Sequence, residues 1–181
     1  MKTANIQAYL DSFAGQVVND SKKLLNTAKG STALEGTIRS VVSFDEQGFN
    51  VKFYMADYVT FLDKGVSGNK KDRAFINLKG ERELSPYKYT TKGPPIDILS
   101  KWIKKKGIKP KGFGRGRSKK TGQYVSAFAY LISRKIKREG IKSISFFQKP
   151  LGIGYEKLKT ELLKEMMLDI QTYITTFTKH K

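Results

Sequence analysis

The residues that could carry chemistry in this sequence are cations, concentrated between Lys101 and Lys142. This stretch holds 15 of the 35 Lys and Arg residues but a single acidic residue, Glu139. Such a charge density cannot form a core and alone would repel itself, so it is expected to face a polyanion. The partner would be nucleic acid or an acidic protein surface. A purely solvated surface is the alternative, and fifteen cations beside one anion make it the less favoured one.

The cations that could contact phosphates lie at the end of one predicted helix and in the loop 109–122 that follows it. Gly112, Gly114 and Gly116 alternate with bulkier residues in this loop, which is typical of a mobile basic segment. A nucleotide-binding phosphate loop is rejected, because no strand precedes these glycines and no Gly-Lys-Ser/Thr ending follows them. The candidate contacts with DNA or an acidic surface are Lys104, Lys105, Lys111, Arg115, Arg117, Lys119 and Lys120.

Residues suited to catalysis are scarce. The only histidine is His180, next to the C-terminus, and there is no cysteine, so nucleophilic triads, histidine or thiolate metal sites and disulfides are not expected. A two-metal nuclease would need carboxylates from separate elements. Glu161 and Glu165 instead lie one helical turn apart beside lysines and are interpreted as a solvated face. We predict no enzyme activity, no cofactor, no metal and no small-molecule substrate.

The composition predicts one folded domain. Hydrophobic residues make up 39% of the 181 residues, with eleven Phe and nine Tyr, which is enough for a core and unlike a disordered polybasic tail. The first residues lead into a polar amphipathic pattern, so no signal peptide is expected. No apolar run approaches the roughly 20 residues that span a bilayer. We therefore expect a protein made in the cytoplasm that does not associate with membranes.

Hydrophobic periodicity predicts the elements that position these residues. Residues 66–93 show no sustained period and are interpreted as an extended basic arm. The tail 172–178 is rich in β-branched residues and could be helix or strand. Residues 150–154 are expected to break the chain before the last helix. The predicted elements are helices at about 4–29, 56–64, 94–106, 122–139 and from 155 onwards, and hairpin strands at 33–44 and 49–56. The expected fold is α+β, a small antiparallel sheet built on the hairpin and flanked by about four helices.

Three aromatic residues in basic surroundings have two interpretations each. Trp102 is expected to be a core residue of the 94–106 helix, the alternative being an exposed platform on which a base stacks. Tyr87 and Tyr89 fall on one parity of the arm. They either stack on bases or fix the arm to a neighbouring molecule, and the second interpretation is favoured.

Several short pieces of the chain form an ordered pattern. They are 58–68 (YVTFLDKGVSG), 87–89 (YKY), 92–97 (KGPPID), 101–103 (KWI), 106–109 (KGIK), 128–136 (FAYLISRKI), 140–142 (GIK) and 146–147 (FF). Taken in this order, they resemble the tail-completion, or head–tail joining, proteins of tailed bacteriophages. In that family an aromatic-rich Asp-Lys-Gly segment precedes a proline-led helix with a tryptophan, and an alanine-rich Ala-Arg-Lys-Ile helix follows. Ser133 stands where this family often has alanine, and the arm and the loop are unusually basic.

The resemblance implies a structural virion protein that forms a homo-oligomeric ring at the neck, between the portal or adaptor and the tail. It implies assembly in the host cytoplasm and a final place in the virion, with non-specific contact to the genomic DNA that passes. A sequence-independent nucleic-acid-binding protein is the alternative function. The candidate contacts with neighbouring subunits are Tyr58, Asp63, Lys64, Tyr87, Tyr89, Phe146 and Phe147.

Overall fold

The computed structural model describes residues 4–29, 33–45, 48–108, 115–117 and 124–179, which form an α+β structure. Within these residues the strands make three two-stranded sheets, in which β1 pairs with β2, β3 with β4 and β5 with β6. The α+β prediction with its antiparallel hairpin is confirmed. The elements are α1 (Ala4–Lys29), a 3₁₀ turn (Glu35–Thr37), β1 (Arg39–Asp45), β2 (Gly48–Tyr54), α2 (Val59–Asp63), β3 (Ala74–Ile76), β4 (Arg82–Leu84), α3 (Ile96–Lys105), β5 (Arg115–Arg117), β6 (Tyr124–Ser126), α4 (Ala127–Glu139) and α5 (Gln148–Lys179).

The chain folds as two compact units, each assembled from separate stretches of sequence. Unit 1 comprises 1–63, 76–82 and 144–181, and unit 2 comprises 64–75 and 83–143. Unit 1 therefore holds α1, the β1–β2 hairpin, α2 and α5, whereas unit 2 holds α3, the β5–β6 ribbon and α4. No helix in the described part of the chain is long and apolar enough to cross a membrane.

The core of unit 1 forms where α1 meets the segment before the hairpin and the segment before α5. The amides of Asn5 and Ile6 donate to the buried carboxylate of Asp169, at 3.2 and 3.1 Å. Because Gly154 lies against Phe13, α1 and α5 run antiparallel. The buried cluster consists of Val18, Leu25, Leu34, Ile38, Val59 and Phe146. Burial of these aliphatic and aromatic side chains is the main contribution to the stability of unit 1.

The last helix begins earlier than its sequence predicts. Residues 150–154 continue α5 from Gln148, so the predicted chain break is wrong. Pro150 lies in the first helical turn, where a missing N–H removes no intrahelical hydrogen bond. Gly152 lies so close to the carbonyl of Leu78 that a side chain would clash. Here glycine permits close packing instead of ending the helix.

The tail of α5 is helical to Lys179, which settles the choice between helix and strand. Its threonine hydroxyls donate to carbonyl oxygens one turn earlier, as Thr172 does to Leu168 at 2.8 Å and Thr175 to Gln171 at 2.8 Å. Such bonds satisfy the hydroxyls without leaving helical geometry. The β-branched composition alone therefore does not decide between helix and strand in this segment.

Two other boundaries and the structure of the arm differ from the prediction. Residues 35–37 form a 3₁₀ turn, and the strand expected from residue 33 begins at Arg39. The helix expected from 122 begins at Ala127, because 124–126 pair with β5. The arm 66–93 contains the strands β3 and β4, so it is less irregular than its lack of period indicates.

Candidate assembly and polyanion-binding surfaces

Three distant pieces of the resemblance meet in unit 2, where their backbones cross. Val66 and Ile141 exchange both backbone hydrogen bonds, with N–O distances of 3.0 and 2.7 Å. The amide of Ser67 donates to the carbonyl of Tyr87 at 2.7 Å, and the amide of Tyr89 donates to the carbonyl of Ser67 at 2.8 Å. The segment around Ser67 is thus paired on both sides, antiparallel to 141 and parallel to 88. We call this arrangement the backbone crossing.

The glycines of these pieces allow the backbone crossing to form. Gly140 has φ +73°, a region that other residues rarely adopt, and a Cβ there would clash with the carbonyl of Val66. A Cβ on Gly68 would clash with the carbonyl of Arg138. Gly65 has φ +71°, and its Cβ would lie 2.7 Å from the amide nitrogen of Ser143. A side chain at any of these positions would force the strands apart.

Side chains hold the backbone crossing in place. Arg73 donates from Nε to the carbonyl of Glu139 at 2.7 Å, and its amide donates to the Ser67 hydroxyl at 2.9 Å. The Ser85 hydroxyl donates to the carbonyl of Gly65 at 2.7 Å. The bonds donated by Arg73 Nε and by Ser85 satisfy backbone carbonyls. The arm 66–93 is therefore fixed by several hydrogen bonds within unit 2.

Some residues proposed as subunit contacts are used inside unit 1. The Asp63 carboxylate is 3% exposed and accepts the amide of Phe147 at 2.8 Å and that of Gln148 at 3.4 Å. It thereby caps the start of α5. Phe146 is fully buried, and Phe147 packs edge-to-face on Phe53 with ring centroids 5.4 Å apart. Asp63 and Phe146 can influence a neighbouring subunit only through the segments that they hold.

The other candidate contacts are more accessible. Tyr58 is exposed, at 53%. Tyr87 and Tyr89 are half-buried, and burial raises the pKa of Tyr89 above its usual value. Lys64 is half-buried and lies over the ring of Phe75, with its Nζ 5.5 Å from the centroid. Their role as contacts with a neighbour stays a prediction.

Nearly all of the net charge belongs to unit 2. This unit holds 21 basic and four acidic residues, a formal charge of +17, whereas unit 1 holds 14 basic and 12 acidic residues, a formal charge of +2. The excess is therefore not spread evenly over the protein. Only one of the two units has the electrostatic character of a polyanion-binding surface.

Two of the candidate polyanion contacts have described side chains. Lys104 and Lys105 are exposed in the last turn of α3, where the helix dipole favours cations. Trp102 on the same helix is 45% exposed, so its prediction as a core residue is wrong. Arg115 and Arg117 lie in β5, where only the backbone is described. Outside the described residues lie Lys111, Lys119 and Lys120.

Two features of unit 1 were missed from the sequence. A groove of about 300 Å³ lies between α1 and the start of α5, lined by apolar side chains such as Phe13 and Ile153 and by Lys23, Lys149 and Lys157. The second half of α5 carries an exposed apolar face. The seven-residue repeat of apolar positions from Leu163 to Ile174 is the signal that could have revealed this face.

Among the described residues, no group of three or more His, Asp or Glu side chains is placed to hold a metal ion. Comparisons with protein families, with curated proteins and with solved structures found no match.

Proposed function

We propose that this chain is a structural connector of a tailed bacteriophage. Copies of it form a ring at the head–tail junction, which joins the portal or adaptor to the tail and lets DNA pass. The protein is assembled in the host cytoplasm and remains in the finished virion. Its role is mechanical, and it needs no cofactor.

The backbone crossing is the observation that supports this proposal most. Residues 66–68, 87–89 and 140–142 were singled out because they occur in the order found in the tail-completion family. Nothing in that order requires them to meet in space. They nevertheless pair through four backbone hydrogen bonds of 2.7 to 3.0 Å. Pieces that form one structural unit are what a shared fold would retain, so their convergence favours a relationship over chance similarity.

The separation of charge between the units also fits a connector. A ring subunit must contact copies of itself through heterologous surfaces, and unit 1 with +2 offers little electrostatic opposition to this. Unit 2 with +17 is suited to passing DNA or to acidic neighbours in the neck. Every phosphate contact that it makes adds a salt-sensitive contribution to binding.

Electron microscopy of particles made with and without this chain tests the proposal. We expect that loss of the chain yields DNA-filled heads and separate tails, and that adding the purified protein restores joined particles. Labelled protein should be located at the neck. Joined virions formed without the chain, or absence of the chain from purified virions, would overturn the proposal.

The charge of unit 2 favours sequence-independent nucleic-acid binding as the second candidate function. A dedicated binder should retain duplex DNA at physiological salt, and each lost phosphate contact should reduce the salt slope by about 0.9. Replacing Lys104, Lys105, Arg115 and Arg117 with Gln should then abolish retention. Replacing Lys159 and Lys164 of unit 1 is the control. A connector would lose particle assembly instead and would show only weak, salt-labile retention from the start.

A further inference from the structure

We propose that the exposed apolar face of α5 binds a second copy of this chain. The inference goes beyond the proposed function, because pairing of α5 with α5 is an isologous contact that joins two copies, whereas a ring is closed by heterologous contacts. We call this surface the α5 stripe; it consists of Leu163, Met167, Ile170 and Ile174, widened by Met166 and Tyr173.

The spacing of the α5 stripe is that of a helix–helix seam. Leu163, Met167, Ile170 and Ile174 are separated by four, three and four residues, the repeat that keeps apolar side chains facing one partner helix. Their exposed fractions are 61%, 68%, 44% and 56%. Asp169, by contrast, is buried against the start of α1. The stripe therefore lies beside the face that α5 already uses within unit 1.

The end of α5 extends past its partner helix. Asp169 binds the first amides of α1, so α1 begins level with that residue and residues 170–179 continue beyond it for about 15 Å. Every side chain described from Ile170 to Thr176 is exposed. Five of these seven residues are β-branched, which lowers helix propensity. Burial of the stripe against another molecule would offset this disadvantage.

The charge pattern indicates a second copy as the occupant. From Leu163 to Ile174 the charged residues are Lys164, Glu165 and Asp169, and Asp169 caps α1. A single cation beside two anions offers little attraction to nucleic acid or to an acidic protein. Two copies, each with a formal charge of +19, repel one another wherever their basic surfaces approach, but they can meet at this weakly charged face. A second α5 carries the same repeat and so supplies matching apolar positions.

The α5 stripe is too short to associate as an isolated helix. Two heptads are fewer than the three to four that an independent coiled coil needs. The first half of α5 is held in unit 1 by α1, which presents the stripe as a preformed helix and lowers the ordering cost of association. The contact should therefore depend on the folded protein and should not be reproduced by a peptide of this segment.

Sedimentation velocity of the full chain tests the inference. We expect concentration-dependent self-association that Met167→Glu and Ile174→Glu each weaken by about tenfold or more. Leu84→Glu is the matched control, because Leu84 is 66% exposed and lies outside α5. It should leave association unchanged. Helical circular dichroism should be retained in all variants, since the substituted side chains are exposed.

Single cysteines give an independent measurement, because the chain has none. Ile170→Cys and Ile174→Cys should form covalent dimers with a short bis-maleimide reagent, whereas Gln171→Cys and Thr175→Cys on the polar side should not. Equal cross-linking on both sides, association that the Glu variants do not change, or a monomer at all concentrations would overturn the inference. A chain that fails these tests but is located at the neck leaves the connector standing. Association through α5 by a chain absent from virions overturns only the connector.

Discussion

Replacing Gly140 with alanine tests the backbone crossing directly. Gly140 has φ +73°, and an added Cβ would clash with the carbonyl of Val66 and lie 2.6 Å from the amide nitrogen of Gly68. Both neighbours are backbone atoms, so no flexible side chain can move aside. The strand of Val66 would have to move away from Ile141, which breaks the pairing between them.

The expected loss has two parts. The left-handed conformation costs a residue with a side chain about 1–2 kcal/mol. Separation of the strands removes the two hydrogen bonds between Val66 and Ile141, each worth about 1 kcal/mol. The free energy of unfolding should therefore fall by about 3–4 kcal/mol. Gly107→Ala is the matched control: Gly107 has φ +65° and no atom within 4 Å of its added Cβ, so only the first part is lost.

Urea unfolding followed by tryptophan fluorescence is the assay, because Trp102 is the only tryptophan and lies in unit 2 with both glycines. Gly68→Ala separates the two parts further, since this variant adds a clash with the carbonyl of Arg138 at a residue that does not have a left-handed φ. Equal losses for Gly140→Ala and Gly107→Ala would refute the reasoning, because the close approach would then contribute nothing.

Three further predictions concern unit 1. Asp63→Ala should lower the free energy of unfolding by about 1–2 kcal/mol, because the start of α5 loses its cap. Asp63→Asn should keep most of that free energy, and an equal loss for both variants in urea unfolding would contradict the cap. Gly15→Ala should stabilise α1 by about 0.5–1 kcal/mol, whereas Gly152→Ala should destabilise unit 1, because only the second variant places a Cβ against a neighbouring backbone. In unfolding followed by circular dichroism, the two variants should change the free energy of unfolding in opposite directions. Burial, a hydrogen bond to Glu161 and nearby carboxylates raise the pKa of Tyr9 above 10.0. The unfolded phenol therefore ionises first, and the stability contributed by the protonated phenol is lost as pH rises above about 10. Tyr9→Phe should flatten that loss in thermal unfolding between pH 9 and 11, and an unchanged pH profile would contradict it.

The elements that were predicted well are those with a long local pattern. The helix predicted over 4–29 matches α1, because 26 residues of consistent period outweigh any single substitution. The β1–β2 hairpin was found from alternation around a turn. The failures lie where a residue type has two uses. Proline and glycine usually end helices. Here Pro150 lies in the first turn of α5, where it costs no hydrogen bond, and Gly152 allows the backbone of Leu78 to pack closely. Only the neighbour in space decides between these uses.

The candidate site shows the same distinction. The Asp-Lys-Gly piece was recognised from its sequence, but a motif does not say whether its residues point to a neighbour or stabilise their own subunit. Asp63 and Phe146 are used internally. The α5 stripe, in contrast, ends in the tail 172–178, whose β-branched residues left helix and strand equally open. Its seven-residue repeat is complete only once that tail is known to be helical.

The size of the charge on unit 2 constrains what it can face in a ring. Duplex DNA carries one charge per about 1.7 Å, so +17 is balanced by about 29 Å of duplex. A compact body of 73 residues is itself about 30 Å across. The DNA that passes through a ring one unit high therefore balances about one copy. In a closed ring of several copies, most of these cations must meet acidic protein or counterions instead. Under the proposed function, the contact of unit 2 with DNA thus involves only a minority of its lysines and arginines, and the others face acidic neighbours in the neck or counterions.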